Sequence, residues 1–363
     1  MSLAPPMGPS QATRHLLLPF AASMAPAWLQ VMKALPADHL RHAQKLLRGM
    51  QPRLMDLADA HSLSPPHERA LARAHGLSDA DLRDGLIPWA AWQRAQSSPE
   101  QAPQANCGAW AWVTPCHWAM GREQATLTDP QALGLSEAES RALLLSMQAY
   151  FAADGITLHY AQPHRWLAEG ELFRDQPTAS LDRALGRSVD QWLPAAGASS
   201  APTTHDRGSA PPQAHAVKSG GASQLRRLQN EMQMLLYTHV VNEVREQKKQ
   251  QPVNSIWFSG TGQLTALRSK GAAAEAQPNL SAPLALAQAA LNEDWQTYAA
   301  AWAALDAGEI QALLARQQAG ETVQLTLCGE RAAQTFETAR TGFFARVSGL
   351  FAAQPLLDVL EQL

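Results

Sequence analysis

Arginine, amide and glycine residues between positions 239 and 262 have the types and spacing expected of a site for a small anion. Guanidinium and amide groups donate hydrogen bonds to carboxylate or phosphate oxygens, and glycines let backbone N–H groups approach a ligand closely. The sequence leaves a second interpretation open, in which the polar residues form the solvated face of a helix and the glycines a plain turn. The candidate ligand-binding residues are His239, Asn242, Arg245, Asn254, Gly260 and Gly262.

Four residues elsewhere in the chain are secondary candidates. The two arginines could frame an anion pocket between strands, or they could be solvated loop charges. The cysteine and histidine are adjacent, so on a strand they would point to opposite faces, and no second Cys/His pair supports a zinc site. Structural packing is therefore favoured for that pair. The four residues are Arg165, Arg187, Cys116 and His117.

Several motifs of catalytic sites are absent from the sequence. Neither a dinucleotide-binding G-x-G-x-x-G after a strand nor a P-loop occurs, and there is no H-E-x-x-H. No region is dense in Asp and His as a two-metal phosphoryl-transfer site requires. Cys328 lies at the end of a predicted strand without a nucleophile-elbow motif, which favours a buried small hydrophobe. The sequence thus predicts no metal site and assigns no catalytic residue.

One predicted helix carries three of the primary candidates. Apolar residues recur at helical spacing from Leu225 to about Gln250, and the histidine, asparagine and arginine, spaced three apart, share one face. Pro252 ends this helix, and residues Val253–Phe258 form a short strand that runs into the glycine turn.

The segment before this helix predicts a small α+β module. Alternating tryptophans indicate a strand over Trp110–Thr114, and Ser136 with Glu139 forms a capping box that begins a helix. Two further strands are expected over Ile156–Tyr160 and Arg165–Ala168.

The two ends of the chain mix helices and strands. A strand is expected over His15–Phe20, followed by short helices, and another over Glu321–Leu327 among helices of the C-terminal third. Phe336–Val347 and Leu356–Leu363 are predicted to be helical. The predicted domains are a disordered N-terminus at 1–13, an α/β core at 14–105 and 254–363, and an α+β insertion at 106–253 with a flexible loop at 195–223.

The composition excludes several classes of protein. The chain has 363 residues, and Lys+Arg minus Asp+Glu is 29 − 32 = −3. This net charge gives no overall positive field and argues against a protein that coats nucleic acid. Three cysteines are too few for a secreted disulfide framework, and no stretch has the 18 or so apolar residues of a membrane span. A proline interrupts the short apolar run near the N-terminus, which argues against a signal peptide. The expected location is the cytoplasm.

The pattern His-x-x-Asn-x-x-Arg, followed after a spacer by Val-Asn-Ser-Ile-Trp-Phe-x-Gly-x-Gly, resembles a family of proteobacterial proteins described as RpfE-type regulatory proteins or as phosphoglycerate mutases. The segment 110–194, with Thr-Pro-Cys-His-Trp, is similar to the same family. That family resembles the archaeal-type cofactor-independent phosphoglycerate mutases of the alkaline phosphatase superfamily. The resemblance implies a three-layer α/β core from the N- and C-terminal segments, an inserted domain, and a site at the six primary candidates.

The resemblance also implies two metals and a phosphorylated Ser or Thr, and here the sequence departs from the pattern. The first strand runs into Pro19–Ser23 without an acid, and no histidine follows His239. Val240 and Ser259 stand where the mutase motif has proline and arginine. We therefore expect a non-catalytic small-anion-binding or regulatory protein without a cofactor, whose partner is a small phosphorylated or carboxylate ligand and neither nucleic acid nor membrane. The alternative is an active mutase that uses Mn²⁺ or Mg²⁺ to interconvert 3- and 2-phosphoglycerate.

Overall fold

The chain folds into a mixed α/β structure with two compact units. The computed structural model describes residues 14–97, 108–122, 124–194, 220–264, 279–339 and 355–363. The predicted disorder at 1–13 and nearly all of the predicted loop at 195–223 lie outside these residues. The first unit comprises Met1–Ser78 and Leu267–Leu363, and the second comprises Asp79–Ala266.

The first unit is built on a five-stranded sheet in the order β2-β11-β10-β1-β9. Strand β1 pairs in parallel with both β10 and β9, whereas β11 is antiparallel to β10 and β2. The strands are β1 (Arg14–Leu18), β2 (Met50–Leu57), β9 (Asn279–Ser281), β10 (Val323–Cys328) and β11 (Ala332–Thr338). The helices are α1 (Trp28–Ala34), α2 (Arg41–Arg48), α3 (Pro66–Ala74), α9 (Ala285–Leu291), α10 (Trp295–Leu305), α11 (Gln311–Gln318) and α12 (Leu356–Glu361).

Alternation along the strands gives this sheet two apolar faces. Leu16 and Leu18 of β1 join Leu325 of β10 in the main core, which the helices other than α3 cover. Leu17 points the other way and packs with Cys328 against α3. Because successive strand residues point to opposite faces, a near-continuous run of leucines is what a sheet covered on both sides requires.

A π-helical segment joins α10 to α11 and fixes the start of α2. Asp306 begins this segment, Asp306–Ile310, and is 1% exposed. Helix α2 has no side-chain cap of its own, and the Asp306 carboxylate accepts hydrogen bonds from the backbone N–H groups of His42 (3.1 Å) and Ala43 (2.8 Å). The carboxylate thus supplies the acceptor that the first turn of a helix needs.

The second unit is built on an antiparallel sheet in the order β6-β7-β3-β8, with a separate β4–β5 ribbon. Its strands are β3 (Trp110–Cys116), β4 (Trp118–Met120), β5 (Ala125–Leu127), β6 (Thr157–Gln162), β7 (Arg165–Glu169) and β8 (Ser255–Gly262). Its helices are α4 (Trp89–Ser97), α5 (Glu137–Ala153), α6 (Leu181–Ala184), α7 (Gly220–Tyr237) and α8 (Val240–Gln247). Helices α5 and α7 bury Met147, Phe151 and Met232 against Val113 and Phe258 of the sheet.

Several predicted elements are confirmed. The Ser136–Glu139 capping box begins α5, strands β3 and β10 lie where alternation predicts them, and β1, β6 and β7 overlap the other predicted strands. Strand β2 was not predicted, because its residues are exposed on both faces and lack alternation.

Other predictions are wrong. The predicted helix at Phe336–Val347 begins instead as strand β11, in which Phe336 pairs with Leu325, and the rest of the span lies outside the described residues. The predicted helix from Leu225 breaks at Thr238 into α7 and α8. The two compact units divide the chain near residues 78 and 266, and α4 and β8 pack with β3 in the second unit.

Candidate functional site

Arg245 is the most buried of the candidate ligand-binding residues. It lies on α8 with 1% of its surface exposed. Its Nε donates to the carbonyl of Gln251 at 2.8 Å, Nη2 donates to the carbonyl of Leu133 at 2.5 Å, and Nη1 donates to the carboxylate of Glu139 at 3.1 Å. Hydrogen bonds from Arg245 and Ser136 lower the pKa of Glu139 against the opposing effect of burial. The guanidinium thus joins the start of α5 to the end of α8.

The side-chain amide of Asn242 forms hydrogen bonds with two backbone segments. Its Nδ2 donates to the carbonyls of Leu236 (2.8 Å) and Val253 (2.7 Å), and its Oδ1 accepts from the N–H of Val253 at 2.9 Å. The amide therefore ties the end of α7 to the residues that lead into β8. A buried amide with three satisfied bonds stabilises a chain crossing of this kind.

His239 is the N-cap of α8 rather than a residue on a helix face. Its Nδ1 accepts from the N–H of Val241 at 3.2 Å, and its Nε2 contacts Ser146 Oγ on α5 at 2.8 Å. The predicted shared face is wrong for this residue because the helix breaks immediately before it. The structure brings His239, Asn242 and Arg245 together on α8, where each binds groups of the neighbouring segments of this chain.

Asn254 and the two glycines contact β3, β4 and the residues near them. Asn254 Oδ1 accepts from the N–H of Trp118 at 2.7 Å and its Nδ2 donates to the Trp118 carbonyl at 3.0 Å, in the manner of a neighbouring strand. Gly260 and Gly262 are within β8, not in a turn after it, with φ of 60° and 139°. A Cβ on Gly260 would lie 2.9 Å from the Trp112 ring, so the glycine there permits close packing of this indole.

The secondary candidate Arg165 stacks on an aromatic ring. Its Cζ lies 4.3 Å from the centroid of the Trp112 ring, and Trp112 Nε1 donates to Gln93 Oε1 at 2.7 Å. The neighbouring His164 has a lowered pKa, chiefly because it is partly buried and further because of the Arg165 charge, with Asp129 opposing. Arg165 therefore lies beside a partly buried histidine, at the start of β7.

The other secondary candidates do not converge. Cys116 is fully buried, which raises the pKa of its thiol, and His117 Nδ1 lies 2.9 Å from the carbonyl of Pro252. Arg187 follows α6, where its carbonyl accepts from the N–H of Leu127. The structure places Arg187 beside β5 and Arg165 at the start of β7.

The carboxyl ends of the parallel strands in the first unit carry residues that the sequence interpretation missed. After β1, Phe20 has a φ of 53°, which is unusual for a bulky side chain, and its ring lies 5.3 Å from that of buried His67. After β10, Glu330 accepts from Ser23 Oγ at 2.9 Å and from the N–H of Met24 at 3.0 Å. Ligands of open α/β sheets bind at such strand ends, so the residues after each predicted strand were the available signal.

This donor set does not fit the two metals that the family resemblance implies. Among the described residues, His, Cys, Asp and Glu form no group of three that could hold a metal ion. The carboxylate of Glu330 is engaged by a hydroxyl and a backbone N–H, and the residues between Leu18 and Ser23 are apolar. Divalent cations require several oxygen or imidazole ligands in one place.

The described part of the chain contains no helix long and apolar enough to cross a membrane.

No protein-family model matches the chain, and no curated protein matches it significantly. Among solved structures, the cofactor-independent phosphoglycerate mutase from Thermoplasma acidophilum DSM 1728 aligns at 12% identity and a TM-score of 0.33, over 97% of this chain and 99% of that one. The PH0037 protein from Pyrococcus horikoshii aligns at 10% identity and a TM-score of 0.38, over 90% and 88%. At scores this low, the alignments assign neither a fold family nor an activity to the chain.

Proposed function

We propose that the protein binds a small phosphorylated or carboxylate anion and does not carry out two-metal phosphoryl transfer. The observation that carries the proposal is the stacked Arg165, whose guanidinium lies over the Trp112 ring beside His164. Stacking on an indole holds the planar guanidinium in one orientation, so less conformational entropy is lost when its N–H groups bind a carboxylate or phosphate. Trp112 is itself held by its hydrogen bond to Gln93.

His164 offers a second sign of an anionic ligand. Burial lowers the pKa of His164, with the Arg165 charge as a second cause and Asp129 opposing it. An anion bound at Arg165 would favour the charged form of His164 and so raise this pKa. The second part of the proposal is that the protein does not carry out two-metal phosphoryl transfer. Its support lies at the strand ends of the first unit, where the Glu330 carboxylate accepts hydrogen bonds from Ser23 and Met24.

We also propose that the chain is a cytoplasmic RpfE-type, phosphoglycerate mutase-like protein with an alkaline-phosphatase-like three-layer core and an inserted domain. The support is the residue pattern from His239 to Gly262. In this proposal the pattern is shared because it builds a junction: His239, Asn242 and Arg245 fasten α8, and Gly260 admits the Trp112 ring.

The test is titration calorimetry of the full chain with 3-phosphoglycerate, 2-phosphoglycerate and inorganic phosphate. Arg165→Gln removes the charged donor, and loss of a charge-assisted hydrogen bond of about 1.5–3 kcal/mol corresponds to roughly a 10- to 150-fold weaker affinity. Arg141→Gln is the matched control, because Arg141 also stacks on a ring, with Cζ 3.8 Å from the Tyr160 centroid. We expect the control to bind as the unmodified protein does.

Three results would each overturn a part of the proposal. Equal affinities for Arg165→Gln and Arg141→Gln would remove Arg165 from the site, and an absence of binding to all three anions would remove the ligand class. Robust conversion of 3- to 2-phosphoglycerate in the presence of Mn²⁺ would show two-metal phosphoryl transfer and favour the active mutase.

A further inference from the structure

The hydrogen bonds around His239 define the protonation of its ring. Ser146 Oγ donates its proton to the carbonyl of Ala142 at 3.0 Å, so it can only accept from His239 Nε2, which lies 2.8 Å away. On the other side of the ring, Nδ1 accepts from the N–H of Val241 at 3.2 Å. Both contacts are satisfied only by the neutral imidazole with its proton on Nε2.

A second proton would disrupt this cap. Protonation converts Nδ1 from an acceptor to a donor, which then faces the N–H donor of Val241. It also places a positive charge at the N-terminus of α8, where the helix dipole is unfavourable to cations. Solvent can reach this region, since Val240 is 62% exposed and Tyr237 is 86% exposed.

We propose that His239 is an acid-sensitive N-cap: protonation of Nδ1 breaks the hydrogen bond from the Val241 N–H, through which the ring, held by Ser146, ties the first turn of α8 to α5. The first turn carries Asn242, which holds Leu236 and Val253, so its release loosens the crossing between α7 and β8. The proposal is independent of the anion-binding function, because it concerns the opening of α8 and not a ligand.

The charged groups on the packed elements leave the cap as the acid-sensitive contact. On α8, Glu243 lies one turn beyond His239, and its N–H donates to the His239 carbonyl. On α5, Glu139 is bound by Arg245 and by Ser136. The last turn of α7 carries no charged side chain. Burial lowers the pKa of His239, in agreement with a ring that is neutral while the cap is formed.

The sign of the effect follows from this direction. The opened state binds the proton with the ordinary histidine pKa near 6.5, and the capped state binds it less readily. The cap is therefore fully formed above about pH 6.5, and opening becomes easier as the pH falls below that value. One pH unit lower, at about 5.5, the opening equilibrium rises by up to about tenfold.

The experiment is amide hydrogen exchange of the full chain between pH 7.5 and 5.5, corrected for the intrinsic exchange rate. We expect protection of the amides at 241–243 to fall by up to about tenfold over this range in the unmodified protein. His239→Asn is the matched variant, since asparagine caps helices without titrating, and its protection should not change with pH. His239→Ala should lack the protection at every pH.

A flat pH profile in the unmodified protein would overturn the proposal, as would an equal decrease in the His239→Asn variant. If that variant does not fold, nitrogen NMR of the unmodified protein decides the question. An unprotonated Nδ1 at pH 7.5 is expected, and a proton on Nδ1 would refute the cap.

Discussion

Arg245 provides the sharpest test of whether the residues from His239 to Gly262 serve a ligand or the fold. The change we consider is Arg245→Met, which keeps an unbranched apolar stem and removes the charge and the hydrogen-bond donors of the guanidinium. The guanidinium has two backbone carbonyls and one carboxylate as acceptors and is 1% exposed. An arginine that binds an anion from solution would keep some of its N–H donors exposed to solvent.

The expected loss of stability can be worked from these contacts. The carbonyls of Leu133 and Gln251 lose their donor, and an unsatisfied buried polar group costs about 1–3 kcal/mol. Glu139 loses its cation but keeps the Ser136 hydrogen bonds and is 21% exposed at its side chain, so water compensates for part of that loss. The sum agrees with the roughly 3–5 kcal/mol typical of removing one partner from a buried pair.

The assay is native-state hydrogen exchange of the full chain in low concentrations of urea, read at amides of β3 and β8. A loss of about 3–5 kcal/mol raises the opening equilibrium of the second unit by roughly two to four orders of magnitude. Arg227→Met is the control: Arg227 binds the carboxylates of Asp154 and Glu231, but its side chain is 50% exposed. Solvent screens such a pair, and we expect no resolvable change in opening.

The opposite outcome would refute this reasoning. If Arg245→Met leaves exchange at β3 and β8 unchanged and abolishes calorimetric binding of 3-phosphoglycerate, the guanidinium contacts a ligand and the three internal hydrogen bonds do not hold the fold.

Two further predictions concern packing and pH. Gly260→Ala is expected to destabilise the second unit by about 1–3 kcal/mol in urea unfolding, because its Cβ meets the Trp112 ring at 2.9 Å, whereas Gly155→Ala, also at positive φ but in open space, should cost less. Burial lowers the pKa of His15 to about 4, so the unfolded chain binds the proton more readily, and the contribution that is complete above pH 6.5 is lost as the pH falls towards 4. His15→Asn, which replaces the titrating ring by a polar group that does not titrate, should flatten that decrease of about 3 kcal/mol.

These two predictions have clear contradictory outcomes. Equal destabilisation by the two glycine substitutions would show that backbone strain alone, and not the indole, requires Gly260. Parallel curves of unfolding free energy against pH for His15→Asn and the unmodified protein would show that His15 is not the titrating group.

The elements that the sequence predicts well are those encoded within a few residues. The capping box needs only Ser136 and Glu139, and the alternation of β10 lies in six consecutive residues. Phe336 is different, since its strand is held by Leu325 on one side and Pro52 on the other. Neither partner lies within a few residues of Phe336 in the sequence, so the local apolar pattern alone predicts a helix.

The candidate site shows the same limit for side chains. Residue types at 239–262 identify candidate polar groups, but spacing cannot show what they contact. Leu133 and Glu139, which accept from Arg245, lie more than 100 residues earlier in the chain. Likewise, the contact of Ser23 with Glu330 spans 307 residues. Only folding brings these groups together, and so only the structure separates a ligand-binding arginine from an internal one.

The π-helical segment at Asp306–Ile310 sets the rotation of α11 about the helix axis relative to α10. An i→i+5 turn holds one residue more than an i→i+4 turn, so deletion of a single residue such as Gly308 would restore a continuous α-helix from α10 through α11. Such a repair would rotate α11 by about 100° relative to α10. It would turn Leu313 and Leu314 away from the core, or else move Asp306 away from the first turn of α2. The extra residue thus lets one stretch of chain satisfy a polar and an apolar neighbour at once, and a shorter, locally more regular helix would fit this sheet less well.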